Sequence, residues 1–550
     1  MSSITQLAGY AFVLYLGWRL LRATILKPAS PLDNIPGPPC DNWMQGNIRK
    51  MFDPRAAWDF QRQVVEQYGR VAVLNSLFGS KILYTIDPRA LHNIYVKEQD
   101  VYEESEILLT NFGLYLGPGL LATLGDQHRR QRKMLNPLFS AKHLREMTPI
   151  FTTIIQKLEH AISSRVDNGT QELDILNWMG RTALELIGQG GLGHSFDPLT
   201  EDVADEFADS VKAYFPVQTQ LNMILRQTMP YLVRIGPAAL RRKIVEMAPK
   251  GGPSHHMMRI SDALSERSHM IVNEKKRALQ QGDEALKQQV GEGKDIMSVL
   301  LRENMKASAE DRLSDEEVVA QVSTLVLAAM DTTSNALARI FHLLSTHPEV
   351  QQKLRDEIIQ ARDDGTGKLR DLEYDEVMEL PYLDAVCRET LRRYPPVGGL
   401  MRVVRKDSVM PLSSPIRGRD GTMIESIPVK KGMRIITDIR GSNTNVELWG
   451  PDAYEWKPER WMEPLPRALE EAHIPGVYSH LMTFIGGARA CIGFKFSQLE
   501  MKVVLATLIP AFKYELSDKP IEWNAAGVAY PSVGESRKPE MPLRVTRLKV

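Results

Sequence analysis

The stretch FIGGARACIGF, Phe484 to Phe494, decides how this chain is read. It sets three glycines, an arginine and a cysteine within eleven residues, and that cysteine, Cys491, is one of only three in a chain of 550. Cys40, Cys387 and Cys491 are odd in number and widely spaced, so a disulfide framework is not expected and a reducing compartment is the simpler reading. A glycine-rich turn around so rare a residue asks for a chemical reason, and the rest of the chain supplies its context.

Hydrophobic residues make up 43% and charged residues 25% of the sequence, the balance of a globular protein with a large core. Lys+Arg and Asp+Glu are both 68, so the net charge is zero and nucleic acid is not an expected partner. The first residues differ. LAGYAFVLYLGW, Leu7 to Trp18, carries no charge and is followed by Arg19, Arg22 and Lys27. A full span needs about 20 apolar residues, which this segment reaches if Arg19 snorkels. The order of apolar run and basic flank is the reverse of a cleavable signal peptide and places the body on the cytosolic side. Residues 1–27 are therefore expected to be a membrane anchor, with a buried or interfacial helix as the alternative. Residues 28–40, which contain IPGPP, read as a stiff spacer, and 41–550 as one large domain. The sequon at Asn168 would stay unglycosylated on the cytosolic side.

Along that domain, Pro54 to Tyr68 has the pattern of an amphipathic helix, and Arg70 to Ile86 reads as two strands joined at Gly79-Ser80. The pattern is then mainly helical to about residue 390. SDEE, Ser314 to Glu317, is a capping box, and the apolar spacing after it runs to His347, where Pro348 opposes continuation. Such a helix, about 45–50 Å long, can cross a large domain through its middle. Gln280 to Met297 reads as a surface loop or frayed helix, and residues 400–480 as short strands and loops.

Zinc and iron–sulfur sites need several clustered ligands, and no second cysteine lies near Cys491. One thiolate suffices for a haem iron, whose porphyrin already supplies four nitrogens. Gly486 and Gly487 would let backbone N–H groups approach the sulfur, and Gly493 would turn the chain into a helix starting near Phe494. The positive end of that helix favours a thiolate. A lone cysteine can also be a nucleophile or a small buried residue, and these alternatives stand beside the haem reading.

F-x-x-G-x-R-x-C-x-G, filled by Phe484, Gly487, Arg489, Cys491 and Gly493, resembles the haem-binding loop of the cytochrome P-450 monooxygenases. Further matches follow in the family's order. ETLR supplies Glu389 and Arg392, and PERW supplies Arg460, which resemble the family's buried structural Glu-Arg-Arg cluster. AAMDTT, Ala328 to Thr333, resembles the oxygen-activation motif: small Ala328 and Ala329 leave room over the iron, and Asp331 and Thr332 supply protons. Ala329 stands where relatives often carry Gly. GDQHRRQRKMLNPLF, Gly125 to Phe139, resembles the helix over a haem propionate, with His128 in place of the usual Trp and Arg132 as its partner. Arg402 matches the arginine on the other propionate. In SNTNVELWG, Ser442 to Gly450, many relatives have His-Arg-Asp instead. The wording of GDQHRRQRK is most similar to microsomal enzymes of higher fungi.

The resemblance implies a mainly α fold with small β-sheets, an α-rich triangular prism, binding thiolate-ligated haem with Cys491 as the axial iron ligand. It implies insertion of one oxygen atom, once or successively, into a lipophilic small molecule such as a terpenoid or other secondary metabolite. Electrons would come from NADPH through a flavoprotein reductase at the endoplasmic reticulum membrane, with the catalytic domain facing the cytosol. Arg129, Arg130, Lys133 and Lys495 are candidates for the reductase face. Phe112, Leu114, Tyr115, Leu325, Met330, Val397, Leu400, Val528 and Tyr530 are candidate substrate contacts, and Tyr231 to Met247 a candidate bilayer contact. A haem-thiolate isomerase or dehydratase, a fatty-acid or xenobiotic hydroxylase, and a tethered haem sensor are the alternatives.

Overall fold

The computed structural model describes residues 30–549 except 198, 201–205, 222, 283–289, 292 and 367, together with 15, 17 and 18. The expected anchor over 1–27 lies outside the described residues apart from those three. Among the described residues no helix is long and apolar enough to cross a membrane.

The helices that position the site are, in chain order, α1 (Ala57–Tyr68), α2 (Glu106–Leu116), α3 (Gly125–Leu135), α4 (Ala141–Val166), α5 (Ile175–Leu186), α6 (Glu206–Gln220), α7 (Ala238–Glu246), α8 (Asp315–Thr346), α9 (Pro381–Arg393) and α10 (Phe494–Ala511). The strands are β1 (Val71–Asn75), β2 (Lys81–Thr85), β3 (Tyr102–Glu104), β4 (Gln171–Asp174), β5 (Gly399–Val404), β6 (Ser408–Arg417), β7 (Met423–Val429), β8 (Arg434–Asp438), β9 (Phe512–Leu516), β10 (Ile521–Asn524), β11 (Tyr530–Val533) and β12 (Pro542–Arg547). They form small sheets in the orders β1-β2-β8-β5-β3, β4-β12-β9, β6-β7 and β10-β11. The expected mainly α fold with minor sheets is what the chain adopts.

The long helix α8 starts where its sequence says it should. Ser314 accepts from the Glu317 N–H while the Glu317 carboxylate accepts from the Ser314 N–H at 2.9 Å. It ends at His347, ahead of Pro348. Its 32 residues make about 48 Å of helix. Side chains all round it are buried, so it is a core helix rather than an amphipathic surface one. Glu317 also accepts from Gln127, Arg130 and Gln131, which locks α3 onto the start of α8. Burial alone would raise its pKa. The hydrogen bonds from Ser314, Gln131, Gln127 and Arg130 outweigh burial and hold it at about 2.

The Pro-rich stretch is no free spacer. Leu32 and Ile35 are buried in the core, and the Pro36 carbonyl accepts from the Val73 N–H at 2.9 Å. Those contacts draw the segment onto β1, where proline, unable to donate, needs only to accept.

The most consequential buried charge is Glu389 on α9. It is fully buried with Arg392, which grips it through two 2.8 Å bonds. Trp461 Nε1 and the Lys457 N–H each donate to it at 3.0 Å, and Arg460 lies 3.5 Å away. Arg392 spends its remaining donors on the carbonyls of Asn443, Ala453 and Glu455. All groups are satisfied, so the pair is tolerated in the interior. Asn443 continues the chain of contacts: its side chain accepts from the Met482 N–H at 2.8 Å and donates to Thr483 Oγ1 at 2.9 Å. Thus α9 is wired to the residues just before Phe484. Replacing Glu389→Ala strands the Arg392 guanidinium, and the expected loss is about 3–5 kcal/mol in denaturant unfolding.

Candidate functional site

The Cys491 loop is held by backbone as much as by side chains. The Cys491 N–H donates to the Phe484 carbonyl at 2.9 Å, closing the turn ahead of α10. The two adjacent glycines have a reason other than access to the sulfur. A Cβ on Gly486 would lie 1.6 Å from the Pro475 carbonyl oxygen, and one on Gly487 would lie 1.8 Å from that of Tyr95. Gly487 also has φ +70°, which only glycine adopts without strain. The glycines therefore let the loop pack between two other backbone segments. The N–H that reaches the sulfur is that of Gly493. Phe484 packs against Tyr478 and Phe494, with ring centroids 5.6 and 6.0 Å apart.

Cys491 lies deep among protein atoms, yet its side chain retains accessible surface. Burial pushes the thiol up, while the Gly493 N–H and the Arg132 charge pull it down. Cys387, by contrast, sits in the core and is pushed up to about 12 by burial. In the middle of α8, otherwise buried, Ala328 is exposed and Ala329 and Thr332 are half-exposed. α8 and α10, the helix that follows Cys491, pack on each other. The Thr332 hydroxyl donates to the Ala328 carbonyl at 2.7 Å.

Asp331, next to Thr332, is buried, and burial raises its pKa to about 7 against the opposing effects of Lys212 and an Asn335 amide. Asn335 Nδ2 donates to the Asp331 carbonyl at 2.7 Å. Lys212 comes from α6 and lies across α5 at Gly180, where a Cβ would fall 2.2 Å from its Cε. Its ammonium is bonded to Asn177 Oδ1 at 2.9 Å. Lys212, Asp331, Asn335 and Tyr530 line a small cavity offering ≈ 10 Å³ to the centre of a water molecule, about one water.

The other expected site residues form a cationic group. His128, Arg132, Gly487 and Arg489 line a ≈ 550 Å³ cavity between α3 and the cysteine loop. Arg132 reaches the Ala490 carbonyl at 2.5 Å and pairs with no carboxylate among the described residues. Arg489 donates to the Thr123 carbonyl at 2.8 Å and lies 3.5 Å from Glu103. Arg402 is 1% exposed, paired at 2.6 Å with Glu104, and its Nη2 is buried without a partner. Burial, then Arg489 and Arg132, push His128 down to about 3, so it is neutral and keeps one N–H to donate. Three guanidiniums thus face two carboxylates, with donors left over. The excess fits an anionic group such as the carboxylates of haem. The fit holds on the sulfur side as well, where one unpaired thiol retains accessible surface.

Arg402 and Arg489 are partnered by Glu104 and Glu103, because guanidiniums this deep need counter-charge. Arg130 is half-buried and paired with Glu317 at 2.9 Å. Arg129 and Lys133 stay on the surface, paired with Asp126 and Asp311, and Lys495 lies over the Phe494 ring. Leu114 is 44% exposed and points to solvent. Leu325, Met330 and Val528 are buried, while Phe112, Tyr115, Val397 and Leu400 are half-buried against the same core. Glu103, Glu104, Lys212, Asn335 and Asn443 were not legible as site residues. Only the adjacent acids of Tyr102-Glu-Glu104 gave a local signal, one carboxylate for each deep arginine.

With this geometry in hand, the comparisons with known proteins are direct. The cytochrome P450 family model matches residues 36–533. Cytochrome P450 monooxygenase 91 of Postia placenta is 52% identical over 98% of this chain and 98% of its own length. Ganoderic acid synthetase CYP5150L8 of Ganoderma lucidum is 48% identical over 99% and 98%. The crystal structure of the cytochrome P450 CYP102L1 superposes with a TM-score of 0.69 at 20% identity, covering 95% of this chain and 100% of that one. These matches, with a cysteine loop that meets Arg132 and a cluster of surplus guanidiniums beside it, mean that the chain belongs to the cytochrome P450 family and is a haem-thiolate monooxygenase.

Proposed function

We propose that this monooxygenase inserts oxygen, once or successively, into a lipophilic small molecule of the terpenoid or related secondary-metabolite class. The observation that carries the reading is the opening at Ala328 in α8 with the Asp331–Thr332 pair at its edge. In this proposal Cys491 would ligate the haem iron, His128, Arg132, Arg402 and Arg489 would hold the haem carboxylates, and Phe484 would shield the sulfur side. Bound haem supplies the oxygen activation, with electron density from the thiolate.

The chain's own residues manage protons and water. Asp331, at about 7, holds a proton at neutral pH because burial disfavours its anion. Thr332 uses its hydroxyl proton on the Ala328 carbonyl, which leaves oxygen lone pairs free to accept from a water. The one-water cavity beside Lys212 supplies the route by which Asp331 is reprotonated from solvent.

Several features support the substrate and location. The candidate contacts Phe112, Leu325, Met330, Val397, Leu400 and Val528 are apolar, and Tyr115 adds an aromatic ring. One relative's name says that it makes ganoderic acid; an acid built by oxygen insertion requires successive oxidations at one carbon. Tyr231, Ile235, Leu240, Ile244 and Met247, on and flanking α7, are exposed beside Arg241 and Lys243. That mixture suits contact with an endoplasmic reticulum bilayer. Arg129, Lys133 and Lys495 are the surface cations suited to an acidic flavoprotein reductase passing electrons from NADPH.

Microsomes holding the enzyme, a reductase and NADPH, offered terpenoids, sterols, fatty acids and small aromatics, are expected to yield a product with one added oxygen from the terpenoid class. A product with no added oxygen, formed without NADPH, would instead assign an isomerase or dehydratase. Thr332→Ala is expected to raise hydrogen peroxide release while lowering product, and Asp331→Asn to slow product formation about 100-fold. The sign of the pH effect follows from a raised carboxyl pKa. The proton is present below about 7 and lost as pH rises through it. Product per NADPH should therefore fall across that range in the wild type and show no such step in Asp331→Asn.

A further inference from the structure

Arg339 lies on the same face of α8 as Asp331 and Asn335, at successive spacings of four residues, and the chamber around it shares Asn335 with the cavity beside Lys212. It is 8% exposed, its Nε is buried without a partner, and no carboxylate pairs with it among the described residues. Aromatic rings enclose it instead: its guanidinium carbon is 3.4 Å from the Trp523 centroid, 4.2 Å from that of Tyr394 and 5.8 Å from that of Trp58. Arg440 stacks on the same Trp58 ring at 4.8 Å. Both guanidiniums line one small chamber offering ≈ 10 Å³ to the centre of a water-sized sphere. Asp438 is the acid nearest Arg440, but it accepts from Tyr84 and the Gly441 N–H and forms no ion pair with Arg440 among the described residues.

Ring faces stabilise the flat faces of a guanidinium, not its N–H edges. Arginine does not discharge by losing its proton, so a buried guanidinium with an unfilled donor and a half-buried second one beside it favour a negative acceptor over a neutral one. The chamber has the volume of one water or one monatomic ion. We infer that it is a binding site for a small inorganic anion of halide size, held between Arg339 and Arg440. The competing occupant is a water bridging Arg339 to Asn335 Oδ1, which is itself buried without a partner. Walls of the chamber come from α1, α8, the Pro395–Pro396 turn and the β10–β11 hairpin. A bound anion therefore ties together elements far apart in the chain.

Crystals of the haem-loaded enzyme soaked in sodium bromide and measured at the bromine absorption edge are expected to show an anomalous peak against both guanidiniums. In solution, sodium chloride should raise the Tm of the haem-loaded enzyme by about 1–3 °C over sodium gluconate at equal ionic strength. Arg440→Gln, at a half-buried position that tolerates change better than Arg339, should remove that difference. Water density without an anomalous peak overturns the inference. So does a chloride effect on Tm equal in wild type and Arg440→Gln, which would mark any bromide found as an adventitious ion only.

Discussion

The buried Glu389 carboxylate is the interaction on which the rest of this structure leans. Its charge is tolerable only because Arg392 grips it with two bonds while Trp461, Lys457 and Arg460 close the remaining directions. Arg392 in turn collects carbonyls from a distant, irregular part of the chain, and Asn443 hands the order on to Met482 and Thr483. The cysteine loop begins one residue later. A segment with little regular structure of its own is thus placed by a charge network rooted in a rigid helix.

From that anchor the site is assembled by opposed electrostatics. On the sulfur side, burial pushes the thiol up, and the Gly493 N–H and Arg132 offset that only in part. Around the rim, three guanidiniums exceed the two carboxylates beside them, a surplus suited to an anionic cofactor. On the α8 side a buried acid keeps its proton to about 7 because burial disfavours its anion more than Lys212 and Asn335 favour it. The rim has surplus positive charge, while Asp331 opens onto the small cavity beside Lys212.

Much of this was legible in local sequence because the signals were local. The capping box at Ser314 and Glu317, the Pro348 stop and the Gly69 and Gly79-Ser80 breaks act within a turn or two, and the helix and strands lie where those rules put them. The cysteine loop was legible for a related reason: glycine is needed wherever backbone meets backbone. Which backbones it meets, Pro475 and Tyr95, was not legible. The proline-rich stretch misled because a spacer and a packed edge segment share a composition; Leu32 and Ile35 decided between them by finding the core.

By itself, the sequence determined the class of the protein: a single thiol in a glycine-bounded turn, a long capped core helix with an acid–alcohol pair, and Glu, Arg and Arg in the right order. Only the tertiary structure decided which charges answer one another. Glu103 and Glu104 meet Arg489 and Arg402, Glu317 pairs with Arg130, and Lys212 reaches toward Asp331 through the gap left at Gly180. Each of these pairings spans more than a hundred residues. They arise because burying a charge demands a partner wherever the fold brings one, and spacing along the chain carries no record of that demand.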